Sequence, residues 1–170
     1  MIRSISESPL YPIVNPKSIA FFGASNTFMR MGSIMLSSLQ ALGFEGEIFP
    51  IHPTEKVVRG LAAYTTIIDV PKAPDLAVIV LPTQLVCQTL AACAHQPPRP
   101  AIVVSGGFRE AGPEGALLQK ELEAIARRHD IRFLGPNCLG VANLHLKLNP
   151  TPIKADCPAG FVGLASQSGS

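Results

Sequence analysis

The sequence predicts an α/β fold in which a doubly wound, mainly parallel sheet is flanked by helices. Three observations carry this. The short, mostly apolar runs Ser18–Phe22, Asp75–Leu81, Ala101–Ser105 and Ile131–Leu134 have the length and composition of strands covered on both faces. Stretches of helical periodicity separate them, and strand–helix alternation with right-handed crossovers gives a parallel sheet. Turns of small residues follow three of the runs, at Gly23-Ala24-Ser25, Ser105-Gly106-Gly107 and Gly135-Pro136-Asn137, and Pro82-Thr83 follows the other. In such a sheet all these loops lie at the carboxyl edge, where ligands bind.

The elements follow in order. Met1–Pro16 carries Pro9, Pro12 and Pro16 and is expected to be an irregular lead-in lying across the sheet. Ser18–Phe22 is the first strand. Gly32-Ser33 opens a helix whose Ile34, Met35, Leu36, Leu39 and Leu42 recur at helical spacing, and Gly43 marks its stop. A strand, a small-residue turn and a helix start together form an anion site, because free backbone N–H groups and the helix dipole point at the turn. The same glycines would also serve to pack the helix close to the sheet, so the turn alone leaves both roles open.

Gly46–Pro50 is a short second strand, and a loop from Ile51 to Lys56 follows, with Arg59 close behind. Residues 61–69 are expected to form a connection with a short helix or strand. Asp75–Leu81 is the clearest strand, stopped by Pro82. Thr83 is the expected N-cap of a helix through Ala94 that turns Leu85, Val86, Leu90 and Ala94 inward. Pro97-Pro98-Arg99-Pro100 breaks the chain before the strand at Ala101–Ser105. After the loop Gly106–Gly112, Pro113 suits the first turn of a helix to His129. That helix buries Leu118, Leu122 and Ile125 and places Arg127, Arg128 and His129 at its negative end. Ile131–Leu134 is a fifth strand and Val141–Leu144 a sixth.

The totals narrow the function classes. A chain of 170 residues fits one domain with a real core, and a net charge of +2 gives no reason to expect nucleic acid or an anionic membrane as partner. Hydrophobic residues make up 47% and charged ones 15%, a lean surface that suggests a face covered by something else. There is no apolar run of membrane-spanning length and no basic-then-apolar leader, so the cytoplasm is the expected location. Cys87, Cys93, Cys138 and Cys157 form no C-x-x-C pair and are expected to be reduced, structural thiols. His52, His95, His129 and His145 are scattered, and no metal site is expected.

A dinucleotide site of the NAD type asks for G-x-G-x-x-G after the first strand and a carboxylate at the end of the second. Here Gly23-Ala24-Ser25 is followed by an insertion before Gly32, and Phe49-Pro50-Ile51-His52-Pro53 contains no acid. Glu55 lies in a loop behind two prolines, a poor substitute. Lys56 and Arg59 come instead, and cations there suit a ligand with a phosphate on its ribose. NADP and coenzyme A both qualify.

Five phrases in order then carry a resemblance: Gly23–Ser25, Phe49–Pro53, Asp75–Pro82, Ser105–Gly112 and Gly135–Gly140. Together they resemble the Rossmann-like N-terminal CoA-binding domain of NDP-forming (ADP-forming) acyl-CoA synthetases, related to the alpha subunit of succinyl-CoA synthetase. The same module occurs in protein lysine acetyltransferases fused to a GNAT domain. The resemblance covers about Asn15 to Ser170. It implies that Gly23, Ala24, Ser25 and Gly32 cradle the phosphates of CoA or acyl-CoA, and that His52-Pro53 and Leu81-Pro82 flank the adenosine. It also implies that Ser105, Gly106 and Gly107, with Asn137 to Gly140, line the path of the pantetheine arm. Glu110 would lie in the loop that approaches a phosphorylated histidine of the next domain. Where the family commonly has Asn-Pro-Lys this chain has His52-Pro53-Thr54, so Lys56 or Arg30 is expected to replace the missing lysine.

Ala165–Ser170 resembles the loop that opens the family's second, flavodoxin-like domain. The expected organisation is therefore a CoA-binding domain over 1–160 and the start of a second domain over 161–170. The phosphate-carrying histidine is expected after residue 170, so this stretch is expected to bind without turnover. ATP or ADP would be handled by further domains or by a beta-type ATP-grasp subunit. The parent is expected to be such a synthetase; the alternatives are a lysine acetyltransferase and, at a distance, an NAD(P)-binding oxidoreductase or redox sensor.

Overall fold

Alternate residues of one strand feed two separate cores. The computed structural model, which describes residues 4–95, 100–154 and 158–167, centres on β1 (Ser18–Phe22), buried along its whole length. Ile19 and Phe21 pack on one face of the sheet with Met35, Leu36 and Leu39 of α2 (Met31–Leu42). Ala20 and Phe22 pack on the other with Val86, Cys87 and Leu90 of α3 (Thr83–Ala92) and Leu122 of α4 (Pro113–Arg128). A strand side-chain period of two, with helices on both faces, is why the run has no polar face.

The five-stranded sheet adds β2 (Glu47–Ile51), β5 (Leu76–Ile79), β6 (Pro100–Val103) and β7 (Arg132–Leu134) in the order β2-β1-β5-β6-β7, every pair parallel. The chain leaves β1 for β2 on one side and returns to β5 on the other. The strand order therefore reverses beside β1, and the crevice at its carboxyl end is the topological switch point. This is the doubly wound α/β architecture that the sequence predicts.

Between β2 and β5 the chain forms a small hairpin, β3 (Val57–Val58) and β4 (Leu61–Ala62), joined by Arg59 and Gly60 at φ 51° and 82°. Positive φ at both positions is what a two-residue turn needs to match the twist of the strands. A single 3₁₀ turn follows at Ile67–Asp69, capped by Thr66. The lead-in is not wholly irregular: α1 (Tyr11–Val14) forms one helical turn, and its Ile13 packs with Ile102 in the α2-side core.

Several expectations need correction. Residues 141–144 form no strand: Gly135, Asn137 and Gly140 all take positive φ, which turns the chain away from the edge of β7. Asn143 then bridges antiparallel to Leu148 around a 3₁₀ turn at Leu144–Leu146. Leu85 is 40% exposed, because the buried stripe of α3 runs through Val86, Cys87 and Leu90. Thr83 is the first helical residue and Pro82 the cap, and α2 begins at Met31 rather than Gly32. The break at 97–99, Cys157 and the end of the Ser-Gly stretch at 168–170 lie outside the described residues. Among the described residues no helix is long and apolar enough to cross a membrane, and no cluster of His, Cys, Asp and Glu could hold a metal ion.

The register of β1 against β5 is pinned at its amino end by Asp75. Its carboxylate accepts from the N–H groups of Lys17 (2.8 Å) and Ser18 (3.1 Å), while its own N–H donates to Ser18 Oγ and Ser18 O. Asp75→Ala strands these donors and is expected to destabilise the fold by about 1–3 kcal/mol in urea unfolding, with an unchanged denaturant slope. A change near zero would show that the register is fixed elsewhere. Cys93 is fully buried, and burial pushes its thiol up to about 12. It is expected to resist a thiol reagent at neutral pH until the protein unfolds, which a stopped reaction with and without urea would read.

Candidate functional site

The start of α2 lies directly against the exit of β1. Gly23 takes φ 94°, and a Cβ on it would overlap the carbonyl of Val80; a Cβ on Gly32 would overlap the carbonyl of Gly23 and touch Ala24 N. Both positions therefore need glycine for close backbone approach. Buried Ser33 closes the loop onto the helix, accepting from Ser25 N–H (3.1 Å) and donating to Ser25 O (2.8 Å). Ser25 Oγ in turn accepts from Thr27 N–H (3.3 Å), and Ser37 donates to Ser33 O (2.8 Å). Residues 23–27 thus form a fixed curl over a helix N-terminus, a shape suited to a phosphate.

The loops after β5, β6 and β7 are bonded to one another beside it. Ser105 Oγ accepts from Leu81 N–H (3.1 Å) and donates to Leu81 O (2.6 Å), and Thr83 Oγ1 donates to Gly106 O (2.6 Å). Asn137, at φ 54°, donates its N–H to Ser105 O (2.9 Å). A Cβ on Gly106 would crowd Asn137 Oδ1 and Glu110 Oε1, and one on Gly107 would overlap Thr83 Oγ1. Gly140 instead backs onto the carbonyl of Pro150. Phe108, fully buried, anchors the loop of Gly106 and Gly107 in the core.

Glu110 is exposed, and its carboxylate accepts from Gly107 N–H (2.6 Å) and Phe108 N–H (3.1 Å) of its own loop. Burial favours the neutral acid, but the backbone donors and the Arg109 charge together outweigh it and hold the carboxyl below its usual range.

The loop after β2 is latched to the loop after β1. His52 Nδ1 accepts from the N–H groups of Glu55 (2.9 Å) and Thr54 (3.3 Å). The Glu55 carboxylate accepts from Asn26 N–H (3.1 Å) and Asn26 Nδ2 (2.5 Å). Asn26 Nδ2 also donates to Val57 O, and Asn26 Oδ1 accepts from Arg59 N–H. Glu55, the nearest candidate for a ribose-binding acid, is thus engaged within the protein. Pro53 is exposed on the same loop. Arg30 and Lys56 are exposed, and neither joins an ion pair among the described residues.

The structure therefore groups Gly23, Ala24, Ser25 and Gly32 around one turn, and ties Leu81, Ser105, Gly106, Gly107 and Asn137 beside it. Sequence reasoning missed Asn26 and Ser33. An asparagine right after Gly-Ala-Ser, a residue type that bonds loop backbone, was the available signal for the first; nothing in the sequence distinguishes Ser33 from its neighbours.

Asn26→Ala is expected to free the loop 52–59, seen as amide exchange at least about tenfold faster there with the sheet unchanged; unchanged exchange would show the latch to be idle. For Glu110 the pKa is depressed in the folded state. The anchoring of Gly107 and Phe108 is therefore present above the ordinary value of 4.5 and fades as pH falls below it. Protection of those two amides is expected to drop in that window and to lose this pH dependence in Glu110→Gln; a drop already above 5 would contradict the depressed pKa (~5 marks the upper side of the ordinary carboxyl range).

Residues 17–143 match the family model described as CoA binding domain. The chain is 40% identical over 161 residues to an ADP-forming 4-hydroxybutyrate–CoA ligase of Nitrosopumilus maritimus, covering 94% of this chain and 23% of that protein. It is 37% identical over 156 residues to the alpha subunit of ADP-forming acetate–CoA ligase II of Pyrococcus furiosus, covering 92% of this chain and 34% of the relative. The solved structure of a dinucleotide-forming acetyl-coenzyme A synthetase from Ca. Korarchaeum cryptofilum, in complex with phosphate and ADP, superposes at a TM-score of 0.81 with 36% identity over 84% of this chain and 30% of that one. The chain thus spans about a quarter to a third of the curated relatives it matches. A switch-point site with this fold, and a family match over most of its length, make this chain a member of the CoA-binding domain family found in ADP-forming acyl-CoA synthetases.

Proposed function

We propose that this domain holds CoA or acyl-CoA across the mouth beside β1 and positions its thiol for a further domain of an ADP-forming acyl-CoA synthetase. In the parent reaction acid, CoA and ATP interconvert with acyl-CoA, ADP and phosphate. The observation that carries the reading is the tying of the loops after β5, β6 and β7 to one another, beside a glycine-built helix start. In this reading the turn of Gly23, Ala24, Ser25 and Gly32 takes the pyrophosphate on those backbone N–H groups that Ser33, Glu55 and Ser25 Oγ do not already engage. The turns at His52-Pro53 and Leu81-Pro82 flank the adenosine, and Ser105, Gly106, Gly107, Asn137 and Gly140 border the pantetheine arm. Glu110 meets the neighbouring domain where a phosphorylated histidine would stand. The work done by this chain is orientation, which removes entropy from the transfer step rather than moving protons.

Residues 161–167 are exposed, which suits a segment leading into a second, flavodoxin-like domain. ATP or ADP would be handled there or by an ATP-grasp partner, in the cytoplasm. Engagement of Glu55 by Asn26 argues against an NAD-type site, since no other carboxylate was available for the ribose hydroxyls.

Calorimetry with CoA, acetyl-CoA, NADH and NADPH tests the proposal. CoA and acetyl-CoA are expected to bind and NADH to fail; tight NADH binding with no response to CoA would overturn it. Gly32→Ala, which pushes α2 off the β1 turn, is expected to weaken CoA by about tenfold or more, the scale of one or two charge-assisted hydrogen bonds. Unchanged CoA affinity would place the phosphates elsewhere.

A further inference from the structure

We propose that Arg59, rather than Lys56 or Arg30, is the residue that recognises the ribose 3′-phosphate of CoA; the inference rests on the CoA reading above. Three cations lie within reach of the loops after β1 and β2, and they are not equivalent. Arg30 and Lys56 are exposed and held by no ion pair among the described residues. Arg59 is fixed at every level. Its N–H donates to Asn26 Oδ1 (2.9 Å) and its carbonyl accepts from Gln40 Nε2 (3.0 Å). Its Nη2 donates to Ser37 Oγ (3.0 Å), and its guanidinium carbon lies 5.1 Å from the centre of the Phe28 ring.

These ties lead back to the phosphate turn by two routes. Along α2, Ser37 bonds Ser33 and Ser33 bonds Ser25, so the guanidinium is joined to the curl at Gly23–Ser25 through three serines. Across the mouth, Asn26 joins the Arg59 backbone N–H, rather than its guanidinium, to the loop after β1. Ser37 lies one helical turn, about 5.4 Å, beyond Ser33. A cation held there stands one step away from the helix start that would take the pyrophosphate, as a phosphate on the ribose must.

The guanidinium is also incomplete. Arg59 Nε is buried and has no hydrogen-bond partner, and among the described residues no carboxylate pairs with the group. The carboxylate facing this region, Glu55, is bonded to Asn26. A buried N–H without a partner costs free energy, and a planar cation with spare donors is the shape that accepts two phosphate oxygens. Phe28, whose ring the guanidinium lies over, is itself 61% exposed. Arginine is further an uneasy choice for its turn position at φ 51°, where asparagine or glycine is easier. A side-chain role explains why that cost is borne.

The test is calorimetry of the chain with CoA and with 3′-dephospho-CoA, at low and high salt. The wild type is expected to prefer CoA by about tenfold or more, and the preference to shrink as salt rises. Arg59→Asn suits the turn and is expected to bring the two ligands to near parity while leaving dephospho-CoA affinity unchanged. Arg59→Lys keeps the charge without the planar fork and is expected to retain part of the preference. Lys56→Gln and Arg30→Gln are expected to keep it whole. A preference that survives Arg59→Asn, or an equal loss of both ligands in that variant, would overturn the assignment. A wild type that binds both ligands equally would overturn it too while leaving the CoA reading intact. Binding of neither ligand would sink that reading and this inference with it.

Discussion

The close approach of the α2 N-terminus to the end of β1 is the constraint on which the rest of the site depends. It exists because Gly23 and Gly32 leave no side chain between backbone and backbone. With the helix that near, Ser33 can reach the turn and hold Ser25 by donating and accepting at once. A single added methyl would wedge the two elements apart and spoil the curl before any ligand contact was lost. Packing and the shape of the turn are therefore one requirement here.

Around that contact the protein spends its polar groups on joining loops. Ser105 links the loops after β5 and β6, Thr83 reinforces the link, and Asn137 brings in the loop after β7. Asn26 does the same between the loops after β1 and β2. Groups held in this way lose little freedom when a ligand arrives, which is how a shallow edge of a sheet gains affinity for a long, flexible molecule.

On the proposed nucleotide side the candidate cations differ in how firmly the protein holds them. Position 54 is threonine, so in the proposed reading a cation for the ribose phosphate would come from elsewhere on the loop. A hairpin turn places Arg59 over Phe28 and against α2, whereas Lys56 projects into solvent. Preorganisation, rather than charge alone, separates the candidates.

The sequence by itself determined the architecture. Runs such as Ser18–Phe22 and Asp75–Leu81 have no polar face, so helices had to cover both sides, and the turns after them had to share one edge. It also determined the glycine turn and, through five ordered phrases, the family. Only the tertiary structure decided which polar residues meet across that edge. Asn26 and Glu55 are 29 positions apart, and Leu81 and Ser105 are 24. Such pairs leave no periodic trace in the chain, because a side-chain hydrogen bond between loops depends on where the sheet brings them, not on local spacing. For the same reason Glu55 read as a stray acid, Arg59 as one cation among several, and residues 141–144 as a strand that positive-φ turns had already steered away.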